Sequence, residues 1–361
     1  MGGRFLLGAD IGGTFSRFAL FRLEKEAGGL SLLLLPESKI TLSTRESGSF
    51  AGLLERLRRA LPSGGAGACS ELACASLAVP GPVENGLCLA PNIPWPLALS
   101  ELEKTLGCPG SLLNDFAAQG RACLFPSLLG LKPVLPGVLR PERSAAVLGA
   151  GTGLGKSQIL PPFRPEAPEQ AGNRPGEKRA GLYFDHASLR PEALAALERR
   201  VLPSEGGHAL FPFRGEEEAA FESFARRLGR RLEVIGDMVV TGCGLSLLYA
   251  FHQGEEVLRP PEEIVPLLRP GSPVLEWFAR FYARACRDFA LETLALGGVY
   301  ISGGLAGRLP GLLEHPAFAE EFRRSETQAH LLANLRVCRI SSPDAGLWGS
   351  AVHGLSLGEW L

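Results

Sequence analysis

The sequence predicts a chain of two α/β domains, and three observations carry that expectation. Its 361 residues exceed what one hydrophobic core usually holds. Short apolar runs ended by glycine alternate with stretches of helical period. A glycine-rich turn near the N-terminus also has a counterpart further on: Leu7-Gly8-Ala9-Asp10-Ile11-Gly12-Gly13-Thr14 and Leu148-Gly149-Ala150-Gly151-Thr152-Gly153-Leu154-Gly155 share an apolar strand, an L-G-A step and a Gly/Thr-rich turn. Two related halves would account for both.

The elements follow in order. R-F-L-L-G-A, F-S-R-F-A-L-F-R-L, L-S-L-L-L-L and K-I-T-L are four short strand-like runs separated by turn residues. Between Ser49 and Leu61 the period changes, and Phe50, Leu53, Leu54, Leu57 and Leu61 fall on one stripe of an amphipathic helix. Leu72 to Val79 reads as a buried strand ending at Pro80, and Ser111 to Leu113 as another, followed by a helical stretch from Asn114 to Leu124. A second glycine-punctuated unit begins at Ser144. Residues 161 to 200 are rich in Pro, Arg and Glu and read as an insertion or surface loop, with a helix expected near Leu189 to Arg199. Helices are expected over Glu216 to Leu232, Leu245 to Gln253, Pro261 to Leu268 and Pro273 to Leu296, a strand over Gly298 to Ile301, and a closing helix from Asp344.

Composition excludes several classes. With 45% hydrophobic and 21% charged residues the chain folds rather than staying disordered. Thirty-seven basic against 38 acidic residues remove the electrostatic footprint of a dedicated nucleic-acid or anionic-membrane binder. The apolar runs, such as Leu30 to Leu35, are far shorter than the roughly 20 residues that span a bilayer. The N-terminus lacks the apolar core and cleavage site of a signal peptide, so a cytoplasmic location is expected. The 8 cysteines include no C-x-x-C pair and sit mostly in apolar segments, which reads as buried free thiols.

Five stretches could carry chemistry. In Asp10-Ile11-Gly12-Gly13-Thr14 the glycines let backbone N–H groups point into one concavity, Thr14 adds a hydroxyl, and Asp10 can hold a water on a divalent cation. That suits a phosphate with its metal, although a plain hairpin turn uses the same glycine pair. Gly151, Thr152 and Gly153 again offer amides to a polyphosphate. The same stretch fits a P-loop if Ala150 replaces the first glycine, with Lys156 on the terminal phosphates and Ser157 on magnesium. The following Q-I-L-P-P-F-R-P starts no helix, which argues against that alternative. Asn114 and Asp115 stand where a strand turns into a helix: Asn114 can hydrogen-bond a ligand hydroxyl while Asp115 accepts a proton from another, or the two are simply an N-cap pair. Glu205 and His208 flank a glycine pair whose bend lets both converge on adjacent hydroxyls of a polyol, or they belong to a solvated loop; no nearby ligand set completes a zinc site. Gly303 and Gly304 follow V-Y-I-S and would let a flat ring such as adenine approach the backbone, or merely turn a strand into a helix.

Taken together and in order, these motifs resemble the bacterial glucokinase family of the actin, hexokinase and sugar-kinase superfamily. The resemblance is carried by D-I-G-G-T at 10–14, P-G-P-V-E-N-G at 80–86, P-N-I-P-W at 91–95, L-L-N-D-F at 112–116 and G-A-G-T-G-L-G at 149–155. It continues through S-E-G-G-H at 204–208, T-G-C-G-L-S-L-L-Y at 241–249, G-G-V-Y-I-S-G-G at 297–304 and A-G-L-W-G-S-A at 345–351. Single glycine motifs are unspecific; the ordered set is highly specific.

The resemblance implies two ribonuclease H-like, actin-like ATPase domains flanking a cleft. The smaller would take 1–114 with 343–361, and the larger 115–342 with the insertion near 161–200. It implies transfer of the γ-phosphoryl group of ATP to the 6-hydroxyl of glucose, with Mg²⁺. Asp115 matches the family's base, and Asn114, Glu205 and His208 its sugar ligands. Asp10, Gly12, Gly13 and Thr14 match the first phosphate loop, and Gly151, Thr152 and Gly153 the second. Related sugar kinases of the ROK group usually carry a cysteine-rich zinc motif after the G-H element. This chain has no cysteine between Cys123 and Cys243, so it resembles the zinc-free branch. Two departures stand out. Asp237 lies where the family usually has Glu, one methylene shorter, and is still expected to reach glucose directly or through a water. The span from Gly155 to Glu205 is also longer than the family norm. The expected partners are glucose and ATP, with neither nucleic acid nor membrane, and a homodimer is compatible. Kinases for mannose or glucosamine, or a non-catalytic sugar or ATP sensor, are the alternatives.

Overall fold

Residues 5–26, 29–61, 72–161 and 201–357 are described by the structure, a computed structural model. The chain divides into two units, 1–130 with 159–203 and 342–361, and 131–158 with 204–341.

In the first unit the four N-terminal apolar runs form β1 (Phe5–Ile11), β2 (Phe15–Glu26), β3 (Gly29–Leu34) and β4 (Ile40–Ser43). β2 pairs antiparallel with β1, β3 and β4. β5 covers the predicted Leu72–Val79, and a small ribbon of β6 (Val83–Glu84), β7 (Leu87–Cys88) and β8 (Leu97–Ala98) follows. β5 and then β9 (Gly110–Asn114) add in parallel beyond β1, giving the order β3-β2-β1-β5-β9. Parallel neighbours need crossover connections, and helices Phe50–Ala60 and Leu99–Leu106 provide them. The first is capped by Ser49, whose hydroxyl accepts from Gly52 N–H at 3.0 Å, and it buries Phe50, Leu53, Leu54 and Leu57 as the stripe predicts. Against these pack Leu7, Phe18, Leu77 and Leu112 from the sheet.

The first unit runs on to Gly130 rather than dividing at 114/115. The cause is the helix Asp115–Ala122, which is held against the returning C-terminal helix Ala345–Gly354. At Gly349 an added Cβ would lie 1.7 Å from the Ala118 carbonyl oxygen, so the two backbones touch there and draw the segment into this unit.

A second sheet comprises β10 (Lys132–Leu135), β11 (Ala145–Ala150), β12 (Leu154–Ile159), β13 (Val201–Ser204), β14 (Val299–Ser302) and β15 (Val337–Arg339). Its order is β10-β15-β14-β11-β12-β13, with β11, β14 and β15 parallel. From β13 to β15 this repeats the order of the first sheet, as two related halves require. The predicted helices appear as Gly215–Leu228, Gly242–Gln253, Pro261–Ile264 and Pro273–Glu292. The last is buried on nearly every side, and inside it Arg284 and Arg287 are 0% and 2% exposed. Burial on that scale demands partners. Arg284 donates to Glu218 at 2.5 Å and to Glu321 at 2.9 Å, and Arg287 donates to Glu321 at 2.7 Å.

The helix expected near Leu189 to Arg199, and the 161–200 stretch apart from its first residue, lie outside the described residues. Cys74, Cys88, Cys108, Cys123, Cys286 and Cys338 are buried, as read from the sequence, whereas Cys243 is exposed and Cys69 lies outside the described residues. Burial, with Cys108 beside it, pushes the Cys74 thiol up to about 12, which makes it unreactive.

Candidate active site

In the first unit the β1–β2 turn is closed by Gly12 N–H donating to Phe15 O at 3.0 Å. Among the described residues the Gly13 and Thr14 N–H groups meet no protein acceptor, which leaves them free for an anion. Thr44 buttresses the turn, its hydroxyl donating to Gly12 O at 2.7 Å and its N–H to Thr14 O at 2.9 Å. Asp10 pairs with Arg17, which stands opposite it in the hairpin register and also donates to Pro343 O. The Asp10 carboxylate fits against Gly346, where a Cβ would come within 2.7 Å of its Oδ2. The motifs at 10–14 and 345–351 therefore meet. Arg17 is absent from the sequence-based site because a two-residue turn at Gly12-Gly13 would set Phe15 across from Asp10, whereas the four-residue loop 12–15 pairs Ile11 with Ser16 and so brings Arg17 opposite Asp10.

Asn114 serves as the N-cap of the helix Asp115–Ala122. Its Oδ1 accepts from Phe116 and Ala117 N–H at 3.0 and 3.1 Å, and its Nδ2 donates to Gly81 O at 3.3 Å. The capping alternative thus holds for its side chain, and the cap in turn fixes the first helical turn that carries Asp115. Asp115 is half-buried, and its Oδ1 accepts from Phe116 N–H at 2.9 Å.

In the second unit the glycine motifs meet backbone to backbone. An added Cβ at Gly149 would lie 2.2 Å from Ser302 O, at Gly207 2.1 Å from Leu154 O, and at Gly303 2.6 Å from Ala150 O. Gly303 also has φ +86°, which glycine alone adopts without strain. Gly303 thus serves close packing on the end of β11, while a Cβ at Gly304 would crowd the Arg308 guanidinium. The 151–153 turn is closed by Gly151 N–H to Gly153 O at 3.0 Å, and the Thr152 and Gly153 N–H groups meet no protein acceptor among the described residues. Each turn thus leaves two successive amides without a protein acceptor among the described residues, although the first closes three residues on and the second two.

Glu205 precedes the 3₁₀ turn Gly206–His208, and the bend brings His208 Nε2 to 3.6 Å from Glu205 Oε2 with both side chains about half exposed. Asp237, on the short helix Gly236–Val239, turns its Oδ1 to the Leu154 N–H at 2.5 Å, a partner that the sequence reading did not foresee.

The P-loop alternative fails on structure. Lys156 and Ser157 lie within strand β12, not at the start of a helix, and both are buried. Lys156 Nζ stands 5.2 Å from the Phe289 ring centroid. Burial pulls its pKa down despite nearby Glu292, Cys286 and Asp288. Lys156→Met is therefore expected to keep phosphoryl transfer within several-fold and to melt no lower than the parent; a collapse of turnover in a folded variant would reverse this reading.

A family model for glucokinase matches residues 7–168 and 193–356. The chain belongs to the glucokinase family. It is 27% identical over 377 residues to a glucokinase of Nostoc sp., covering 96% of this chain and 98% of that one. It is 30% identical over 359 residues to a glucokinase of Chromobacterium violaceum, covering 96% and 88%. Among solved structures it superposes on a glucokinase from an Antarctic psychrotroph with a TM-score of 0.71 at 23% identity, covering 98% and 99% of the two chains. A ROK family glucokinase from Streptomyces griseus in complex with glucose and AMPPNP gives 0.52 at 18% identity, covering 96% and 98%. As a glucokinase-family enzyme the protein is a sugar kinase of carbohydrate metabolism, and its two sheet-containing units have the actin-like ATPase fold.

The glucokinase model leaves 169–192 unmatched, inside the stretch read as an insertion. Deleting 169–192 is expected to give a folded protein with its kcat within several-fold of the parent, checked by a thermal melt and a coupled assay. Loss of all activity in a folded deletion variant would make the segment part of the site.

Among the described residues no group of three or more His, Cys, Asp or Glu could hold a metal. The first hairpin offers Mg²⁺ one carboxylate, Asp10, shared with Arg17. That donor set fits an ion that arrives on a triphosphate and keeps its waters, rather than an all-protein cage. No helix among the described residues is long and apolar enough to cross a membrane.

Proposed function

We propose that the protein transfers the γ-phosphoryl group of ATP to the 6-hydroxyl of glucose, with Asp115 as general base. The observation that carries this reading is Asp115 itself, a half-buried carboxylate aimed by the Asn114 cap in a chain of the glucokinase family. As the sugar oxygen bonds to phosphorus and the bond to the β–γ bridging oxygen breaks, Asp115 takes the hydroxyl proton and ADP leaves. The free amides of Gly13, Thr14, Thr152 and Gly153 are donors for phosphate oxygens, while Gly303 and Gly304 would line the nucleotide. Asn114, Glu205 and His208 would hold sugar hydroxyls. Asp237 keeps one carboxylate oxygen for the hexose, or for a water on it. Mg²⁺, held on the triphosphate and through water by Asp10, would neutralise phosphate charge. With ATP as donor the reading places the protein in the cytoplasm. The glucose and AMPPNP held by the Streptomyces griseus enzyme support both substrates.

A coupled assay across glucose, mannose and glucosamine, each with ATP, ADP and polyphosphate, tests the reading. Glucose with ATP is expected to give the highest kcat/KM. Absence of glucose phosphorylation by the full-length protein would overturn the assignment, and a better hexose would replace glucose in it.

A further inference from the structure

The turn between β11 and β12 has to present two amides, yet within itself it is closed by a single bond, Gly151 N–H to Gly153 O. Two of its three residues are glycine, so it holds one shape poorly on its own. Besides a long bond from Gly242 N–H to Gly151 O at 3.5 Å, an added restraint comes from 83 positions away: Asp237 Oδ1 accepts the N–H of Leu154, the first residue past the turn. Gly153 is suited to this contact, because a Cβ there would lie 2.9 Å from the same oxygen. Asp237 is itself anchored, with the Thr241 hydroxyl donating to its carbonyl at 2.6 Å. The residue before it, Gly236, donates its N–H to Ala209 O at 2.9 Å, which fastens the short helix to the chain just past the Glu205–His208 turn.

We propose that Asp237 is a positioning residue for the phosphoryl donor: its carboxylate holds the 151–154 turn in the form that presents the Thr152 and Gly153 amides. This rests on the kinase reading above. A carboxylate bonded to a backbone N–H is one of the stronger hydrogen bonds a protein makes. Without it the turn samples other shapes, and donor affinity falls in proportion to the fraction still competent to bind. Aspartate has the right reach for this task, since a longer side chain would need the space that Gly153 leaves clear.

The test titrates AMPPNP with Mg²⁺, and separately glucose, into the full-length parent and the variants Asp237→Ala, Asp237→Asn and Gly153→Ala. Asp237→Ala is expected to raise the AMPPNP Kd about tenfold or more, the scale of a lost charged hydrogen bond, while the glucose Kd moves only several-fold. Asp237→Asn keeps an oxygen for Leu154 and is expected to recover most of the affinity. AMPPNP binding unchanged in Asp237→Ala, or a loss confined to glucose, would overturn the proposal. Should that variant not fold, Gly153→Ala decides: it keeps the carboxylate but sets a methyl group 2.9 Å from its Oδ1, which pushes the carboxylate off the Leu154 N–H, and the same split between nucleotide and sugar is expected, with unchanged AMPPNP affinity again overturning the proposal. A parent protein that binds no AMPPNP would instead bring down the kinase reading itself.

Discussion

Asp115→Asn is expected to lower kcat for hexose phosphorylation by at least about two decades, since a positioned general base contributes roughly 10² to 10⁴ in rate. The substitution keeps the size of the side chain and an oxygen for the Phe116 N–H bond, so the first turn of the helix should stay as it is. What it removes is proton acceptance. The loss should therefore appear equally in kcat and kcat/KM, while the glucose Kd, measured by titration without nucleotide, changes by much less. Near-normal turnover would show that another group takes the proton.

Glu321→Ala is expected to give the largest loss of stability. Glu321 is 3% exposed and accepts from both Arg284 and Arg287, so its removal leaves Arg287 without its buried carboxylate partner and Arg284 with Glu218 as its one carboxylate. Breaking a buried pair in this way costs about 3–5 kcal/mol, which for a unit of this size lowers the melting temperature by roughly 10 °C. The effect should depend on pH in a defined direction. Burial alone would raise the Glu321 carboxyl, but hydrogen bonds and charge from Arg284 and Arg287 outweigh it and hold it below its ordinary value. A carboxyl depressed on folding stabilises above its unfolded pKa of about 4.3 and loses that contribution as pH falls through the folded value. Parent and variant should thus differ most from about pH 5 upward, and their melting curves should approach one another in stronger acid. Equal melting temperatures at neutral pH would show that the cluster contributes nothing net.

Much of the fold is legible in local pattern. Leu72–Val79 is a continuous apolar run ending at Pro80, and Phe50–Ala60 shows three turns of one stripe, so each is found where expected. The helix Leu99–Leu106 is not legible, because little more than two turns cannot display a period. Arg284 and Arg287 could be placed on a helix but not in its core, because Glu218 and Glu321 come from distant parts of the chain. The site divides along the same line. Glu205 and His208 are three residues apart and their convergence follows from the glycines between them. The Asp237 contact with Leu154, and the reach of the first unit to Gly130, depend on pairings that no local spacing records.

The glycines of the second unit limit how this enzyme can diverge. Gly149, Gly207, Gly244 and Gly303 stand where a methyl group would strike a carbonyl oxygen within 2.6 Å. Mutation at these positions therefore cannot loosen the site by degrees; each step breaks the frame or leaves it alone. On the proposed reading, a path from one hexose to another runs through side chains mounted on that frame, with Glu205 and His208 the first to vary. A library built to change substrate preference would spend its diversity there and hold the glycines constant, and a descendant enzyme with a new sugar would be expected to carry the same backbone scaffold beneath altered contacts.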